Sequence, residues 1–591
     1  MFMNLLSIAI ILGLGYLWVT RGFFSALLHL ACVIAAGAIA FGLWEPVSMF
    51  LLSKAPQSGM GTFIGDAAWG LGLALPFAIS LALLRVATDK IAPGNIIIED
   101  TYDAIGGGIC GAGIGLITAG IFVLSTGFLR VPASFMGYQP VQMANQGNFE
   151  IQQKLWLPVD RITSNLYNFL SQNALHTETP LAYYYPDLAS AAGTQRMSEG
   201  NGNNKNNILP GGFDVAMHFT VGKGSNSPAD AIFSDFQNPG SQQITMLDGS
   251  PLPAGSYIEG FLINFLAGAK EKFGLVVVGK GQLRLIAHDS AGNGVTLYPI
   301  AVTSQARTGS NQFGRFRFDG EFYVASVGGA TEAPMAFEFA VPAGYEASSL
   351  YVRNIRYDLD GSKPDREFAD ASARDLAIQT GELLVGNATA SLNLAHAVTM
   401  NATDNRAEGV QLGKRLADRV VLQKGNTPGL EVNDDNEIVN GEGVFNPGDV
   451  QGRGLDRNLR VDSLFVTKDT NIVQIQITGD PAQFPTSFFS TSAAPDLKTN
   501  VPPRLIDANG QAYNAVGFIY KDTNKVQIRY TTGRPMMGLD EADALVRSRD
   551  DQTMFLIFRP SVGVQLKHFA IGDVVLATFE PPLELEAERR R

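Results

Sequence analysis

Four apolar runs crowd the first 130 residues and set the terms for everything after them. They cover Met3 to Thr20, Gly22 to Trp44, Phe63 to Ala87 and Ala104 to Leu129. A helix needs about 20 residues to cross the hydrocarbon core of a bilayer, so each run has spanning length. Inside lipid a backbone must satisfy its own N–H and C=O groups, which makes such segments helical. The first run lacks a basic n-region and passes through Arg21-Gly22 straight into the second, so it reads as a retained span rather than a signal peptide. Pro76 is expected to kink the third.

The fourth run carries six glycines between Gly106 and Gly115. In water each interior glycine costs a helix about 1 kcal/mol relative to alanine. Lipid enforces helicity anyway and leaves the glycines free to serve packing. Gly107, Gly111 and Gly115 recur every four residues, on one helix face where a neighbouring backbone can approach closely. The competing reading is neutral filler that lipid tolerates.

The chain holds 44 basic and 56 acidic residues, a net charge of −12. Few of these lie near the spans: Arg21, Lys54, Arg85, Lys90 and Arg130 against Glu45, Asp66, Asp89, Glu99, Asp100 and Asp103. The acidic excess therefore belongs to the remainder, which argues against a nucleic-acid partner. Arg21, Arg85 and Lys90 fall in loops one and three, against Lys54 and Arg130 on the opposite side. That balance puts loops one and three in the cytoplasm, and the large C-terminal part outside it. The only cysteines, Cys32 and Cys110, lie in apolar runs, so the C-terminal part has no cysteine for a disulfide or a metal site.

After the spans, Leu157 to Leu170 (LPVDRITSNLYNFL) places Val159, Ile162, Leu166 and Phe169 at helical spacing behind Pro158, predicting a juxtamembrane amphipathic helix. Glu199 to Gly212 (EGNGNNKNNILPGG) reads as an exposed linker. From Phe213 to about Leu359, and again from about Asn458 to Pro581, short β-branched and aromatic runs alternate with turn residues, predicting two β-sandwich units. Between them, Glu367 to Leu384 reads as a helix and Asn433 to Arg457 as a long polar loop. The two blocks share an order of features: Asp289-x-x-Gly292, Tyr298, Phe339 and Leu350 in one, Asp507-x-x-Gly510, Tyr513, Phe558 and Leu566 in the other. A duplicated unit accounts for the match; chance agreement of turn-and-strand texture is the alternative.

The fold class is therefore multidomain: an all-α four-helix transmembrane module, then a large extracytoplasmic, mainly-β region. The boundaries are 1–135 for the membrane module, 136–199 for the amphipathic helix and connector, 200–370 for the first β unit, 371–457 for a second connector and 458–591 for the second β unit.

Two local patterns resemble a known family. The hairpin GLGYLWVTRGFFSALLHL, with Gly15 and the Arg21-Gly22 pair, is similar to the first two helices of the colicin V production protein (CvpA-like) family. Asp103-x-x-x-Gly107-x-x-x-Gly111-x-x-x-Gly115 resembles that family's entry into helix four. The match covers about residues 1–135 and departs from the pattern at Asn4 and Ala104, where charged residues are expected. It implies a bacterial inner-membrane module tied to envelope homeostasis and secretion.

Some relatives of such a module carry a trypsin-like protease, which needs a serine in a glycine-rich turn, a histidine base and an orienting acid. No Gly-Asp-Ser-Gly occurs, and His176, His218, His288, His396 and His568 are isolated in sequence. The acidic stretches Asp434-Asp435-Asn436 and Asp358-Leu-Asp360-Gly361 lack calcium-loop spacing and read as solvated turns. The expectation is no catalytic, metal or cofactor site. Asp66 and His29 are polar groups inside spans. Asp66 admits two readings, an intramembrane functional acid or a residue facing the interface, and His29 reads as a packing imidazole. Three function classes follow: an envelope protein whose β units bind a protein or cell-wall partner, a transporter or channel subunit using Asp66 and His29, or an enzyme with an unrecognised site. Lipid is the expected partner of the spans, and a homo-oligomer through the membrane module is open.

Overall fold

The computed structural model describes residues 1–55, 62–92, 94, 96, 99–143, 149–197, 204–224, 253–271, 274–305, 313–318, 322–326, 332–359, 361–379, 383, 392–395, 397–450, 454–467, 470–478, 500–508, 510–542 and 551–585. Its N-terminal part is four helices: α1 (Phe2–Val19), α2 (Phe23–Lys54), α3 (Phe63–Ile91) and α4 (Asp100–Gly127). All four are long and apolar enough to cross a membrane. α2 packs on both α3 and α4, and α1 packs along α4.

α2 runs well past Trp44, where the apolar run was expected to end. Glu45-Pro46 breaks the apolar pattern but not the helix, because α3 continues to pack beside it: Trp44 Nε1 donates to Trp69 O at 2.8 Å. Beyond α4 come a hairpin (Val141–Met143 with Phe149–Ile151) and three helices, α5 (Val159–Gln172), α6 (Leu181–Tyr184) and α7 (Leu188–Gln195). α5 and α7 pack against α4.

The rest is β-rich. One six-stranded sheet runs, edge to edge, Arg366–Phe368, Phe213–Val221, Tyr257–Phe265, Ala333–Val341, Ala301–Gln305, Phe313–Arg317. A four-stranded sheet runs Ile355–Asp358, Tyr345–Val352, Leu283–Asp289, Gly294–Leu297. Side chains alternate across a strand, and Ala333–Val341 uses both faces. Met335, Phe337, Phe339 and Val341 share a core with Leu283, Leu285, Leu350 and Val352 of the four-stranded sheet. Ala336 and Ala340 point the other way, into a cluster with Ala377 and Ile378 of the helix Ala371–Gln379.

Further along, an eight-stranded sheet contains, in order, Val410–Leu412, Val473–Thr478, Thr553–Phe558, Gly517–Lys521, Val526–Tyr530, Glu437–Phe445 and Leu430–Val432, with Ser463–Leu464 beside Glu437–Phe445. A five-stranded sheet runs Val398–Asn401, Val574–Glu584, Gln565–Ile571, Pro503–Asp507, Ala512–Asn514. Met554, Leu556 and Phe558 share a core with Leu505, Phe569 and Ile571 of the five-stranded sheet, while Ile557 packs with Ile528 on the opposite face. Phe339 and Phe558 are both fully buried.

The Asp-x-x-Gly stretches close similar turns. Asp289 Oδ1 accepts from Ala291 N and Asn293 N at 2.9 and 2.8 Å, and Gly292 takes φ +83°. Asp507 Oδ1 accepts from Gln511 N at 2.9 Å, and Gly510 takes φ +84°. Left-handed backbone at the fourth turn position is the reason glycine stands there.

Three expectations need correcting. The polar stretch Asn433 to Arg457 holds the nine-residue strand Glu437–Phe445, paired on both sides. It looks loop-like because Gly441 and Gly443 sit where the backbone of Pro428 and Gly429 comes too close for a side chain. Strands from Val398 to Phe445 therefore share sheets with strands after Val473, so the boundary at 457 cuts through both sheets. The linker expected at 199–212 has residues 199–203 outside the described set, while Asn206, Asn207 and Ile208 are buried. The helix expected over Glu367 to Leu384 begins only at Ala371, because Arg366–Phe368 first pairs in parallel with Phe213–Val221; it is described to Gln379, and residues 380–382 and 384 lie outside the described residues.

Candidate functional site at the two ends of the helical module

At one end, the loop between α1 and α2 turns on Gly22, whose φ of +89° favours glycine. The Asp103 carboxylate accepts from Phe23 N at 2.7 Å, meeting a bare N–H at the start of α2 with a negative charge. One turn along α4, a Cβ placed on Gly107 would lie 2.5 Å from Trp18 O; on Gly111, 2.8 Å from Leu14 O; on Gly115, 2.6 Å from Ile11 Cα. All three glycines face the backbone of α1. Gly15 faces back across the same seam, toward Ala112 N and Gly108 O. Gly106 is on another face but is not open: Phe23 Cδ2 lies 2.6 Å from where its Cβ would be.

Trp18 is the hub of this end. His29 stacks on its indole at a centroid distance of 4.8 Å, and the guanidinium groups of Arg21 and Arg85 lie over the ring at 5.7 and 5.5 Å. Such placements combine ring stacking with cation–π attraction. Arg85 also donates to Ser25 Oγ at 3.1 Å and pairs with Asp89 at 2.6 Å.

Asp66 lies at the other end, near the start of α3. Its carboxylate meets Arg130 at 3.0 Å, and Arg130 N donates to Asp66 O at 3.2 Å. Asn207, from the stretch expected to be an exposed linker, donates to Gly65 O and Asp66 O at 2.8 and 3.1 Å. The fold thus does not bring Asp66 and His29 together. It puts Gly15, Arg21, Gly22 and Asp103 with His29 at one end, and Asp66 at the junction with the β-rich region.

That junction holds residues the sequence reading missed. Trp44 packs edge-on against Trp69 and Phe128, and its ring centroid lies 5.0 Å from that of Tyr185. Tyr185 continues to Tyr351 at 5.3 Å, and Arg284 covers Tyr351 at 4.9 Å. Glu45 pairs with Arg356 at 3.3 Å, and the Arg356 guanidinium sits 3.8 Å over the Tyr184 ring. Burial works against the charge on Arg356, yet Glu45, Tyr351 and Asp358 together hold its pKa above the ordinary value. Burial pushes the Tyr185 hydroxyl up to about 12. The available signal was Glu45 itself, an acid set between the apolar run that ends at Trp44 and the mostly apolar stretch Val47 to Leu52.

In the β-rich region the polar groups are tied into structure. His218 Nε2 meets Glu259 at 2.5 Å, and His288 stacks on Tyr183 at 3.9 Å while its Nε2 reaches Tyr183 O at 3.0 Å. His568 Nδ1 contacts Thr578 Oγ1 at 3.0 Å; His176 is exposed, and His396 lies outside the described residues. Glu338, fully buried, takes Arg315 at 2.7 Å and Arg374 at 3.5 Å. Burial alone would raise its pKa, but the two guanidinium groups bring it below the ordinary value. Among the described residues no three His, Cys, Asp or Glu side chains cluster as metal ligands.

No family model, curated protein or solved structure matches the chain.

Proposed function

We infer that the chain is a membrane-anchored bacterial envelope protein whose four spans hold two copies of one β-sandwich unit outside the cytoplasm, for binding a protein or cell-wall partner. The junction at Glu45, Arg356 and Asn207 carries this reading. A flexible tether would suffice to keep a soluble domain near a membrane, whereas here helices of the module are bonded directly to the first β region. Such a joint suits a protein that presents a surface at a fixed height and orientation.

Several observations support the duplicated unit. The order Ile355–Asp358, Tyr345–Val352, Leu283–Asp289, Gly294–Leu297 has its counterpart in Val574–Glu584, Gln565–Ile571, Pro503–Asp507, Ala512–Asn514. In the larger sheets, Ala333–Val341 lies between Tyr257–Phe265 and Ala301–Gln305, as Thr553–Phe558 lies between Val473–Thr478 and Gly517–Lys521. The Asp-x-x-Gly turns and the buried Phe339 and Phe558 fall at equivalent places in that order.

The resemblance of residues 1–135 to the colicin V production protein family supports an inner-membrane location and a role in envelope homeostasis or secretion. Asp66 and His29 each have partners of their own at opposite ends of the module, which favours holding roles for both over a shared polar path.

The test is photo-cross-linking of the full chain in native bacterial membranes, with the reactive group at Val444 or Leu459, both exposed on the second β region. The expected result is a defined adduct with an envelope protein or with cell-wall material. Adducts only with cytoplasmic proteins, or none above the background at Leu83 on the lipid-facing side of α3, would overturn the reading.

A further inference from the structure

An amphipathic helix beside water buries its apolar stripe and exposes its polar one. α5 departs from that rule: Leu166 and Leu170 pack against the core, yet several polar side chains are buried and two large apolar ones are not. Its polar and small residues Asp160, Thr163 and Ser164, with Tyr167, are buried against the helical module, whereas Phe169 is 61% exposed and Ile162 38% exposed. Just before it, Trp156 is 66% exposed. Of the apolar stripe only Val159 is fully buried.

The inward face is built for close approach. Tyr167 OH donates to Val33 O and Ile34 O of α2 at 3.3 and 3.2 Å, and its ring end occupies the space a side chain on Gly37 would need. Thr163 and Val159 O similarly fill the space beside Gly120 of α4. Asp160 accepts from Tyr138 OH at 2.9 Å. Small residues, glycine and hydroxyl groups at a helix contact are the pattern expected where lipid, not water, surrounds the pair.

The outward face is continuous with lipid-facing surface on both sides. Trp156 N donates to Asn4 Oδ1 at 2.7 Å, and Leu155 and Val159 cluster with Met3, beside the exposed Phe2 and Leu5 of α1. At the other end of the contact, Gly37 is followed on α2 by the exposed Ile39 and Leu43. Asn165 and Gln172 are also exposed on α5, which suits a depth near the headgroups rather than the hydrocarbon centre. Tryptophan favours that same zone.

We propose that Trp156 and α5 lie in the outer lipid–water interface, as a fifth helix in contact with the bilayer whose apolar face takes acyl chains and whose polar face is seated on Gly37 and Gly120. This rests on the reading of α1–α4 as spans. A helix with one apolar face at the bilayer surface gains stability from apolar burial there. It also fixes how far from the membrane α6, α7 and the first β region begin.

The other three tryptophans, Trp18, Trp44 and Trp69, are buried, so Trp156 reports on this face alone. The full chain is reconstituted in phosphatidylcholine vesicles whose acyl chains carry bromine either near the headgroup or near the terminal methyl. Tryptophan emission should fall most with the shallow bromines, and that loss should disappear in Trp156→Phe. In a Trp156→Phe background, Leu83→Trp on α3 gives a reference for a spanning position and Val444→Trp one for the β region. Quenching at Leu83→Trp without quenching at Trp156 overturns the proposal and leaves the spans intact; no quenching at either overturns both. Aqueous iodide keeps the test open if a variant fails to fold. Strong iodide quenching of the wild-type emission places Trp156 in water, and protection from both quenchers means another protein chain covers the face; either overturns the proposal.

Discussion

At Gly111 a methyl group has nowhere to go, because Leu14 O, Trp18 Cβ and Gly15 Cα all lie within 3.0 Å of its would-be Cβ. Two of those three atoms are backbone, so the helices must separate to admit a side chain. Overpacking of this kind costs about 1–3 kcal/mol, and Gly111→Leu is expected to lower thermal stability in detergent accordingly. Gly113 supplies the comparison, since its would-be Cβ meets nothing nearer than Leu30 Cδ1 at 3.5 Å. Gly113→Leu should cost less; equal melting of wild type and Gly111→Leu would return these glycines to the status of filler. Glu338 gives a residue-scale prediction in pH. Its folded pKa is depressed by Arg315 and Arg374, so its contribution to stability is full above the ordinary glutamate value of about 4.3 and is lost as pH falls through the lower folded value. Glu338→Gln should therefore destabilise by roughly 3–5 kcal/mol at neutral pH, where it removes the carboxylate from the buried pair with Arg315, while Arg374 keeps Asp375 at 2.8 Å. The gap to wild type should narrow in acid. Denaturant unfolding of both proteins at neutral and acidic pH measures it, and a gap that widened in acid would contradict the assignment.

Among the elements, the strands Ala333–Val341 and Thr553–Phe558 each bury a phenylalanine against an aromatic neighbour. Phe339 meets Phe261 at a centroid distance of 6.1 Å, and Phe558 meets Phe569 at 6.0 Å. Phe339→Ala and Phe558→Ala should each cost about 3–5 kcal/mol, each in the unfolding of its own β region. Pulsed proteolysis with fragment mapping separates the two, and a near-neutral effect at either position would count against equivalent roles. What could be read beforehand divides along the same lines. The spans were legible because lipid demands unbroken apolarity, which leaves a trace in composition. The end of α2 was not, since Glu45-Pro46 resembles a stop and only the contact with Trp69 and Arg356 shows why the helix goes on. Periodicity located α5 within two residues, yet it could not say which medium the stripe faces. Polar composition hid both Glu437–Phe445, whose glycines answer to a close backbone neighbour, and the buried Asn207, whose amide bonds to Gly65 more than a hundred positions away.

For the whole molecule, both ends of the helical module can be placed relative to each other from contacts alone. The Met1 ammonium donates to Gly137 O at 2.9 Å, and Met3 N donates to Met136 O at 3.0 Å. Residues 136 and 137 follow α4, so the chain enters α1 and leaves α4 at the same end, as four crossings require. Arg21, Arg85 and Lys90 stand at the opposite end. Orientation is set by the count of basic residues in short flanks, with acidic neighbours contributing little, so the pairing of Arg85 with Asp89 does not remove it from that count. Three against two leaves a small bias, and a small bias can be shifted. A reporter active only outside the cytoplasm should be active when fused after Arg591 and inactive when inserted at Gly94 between α3 and α4. Replacing Arg21 and Lys90 with glutamine should lower the first signal and raise the second, because the remaining balance favours the end that carries Lys54 and Arg130. If a cytoplasm-only reporter after Arg591 were active in the wild type, the β-rich region would face the cytoplasm, and the extracytoplasmic partner proposed for it would have to be abandoned while the glycine seam and the joint at Glu45 stood unchanged.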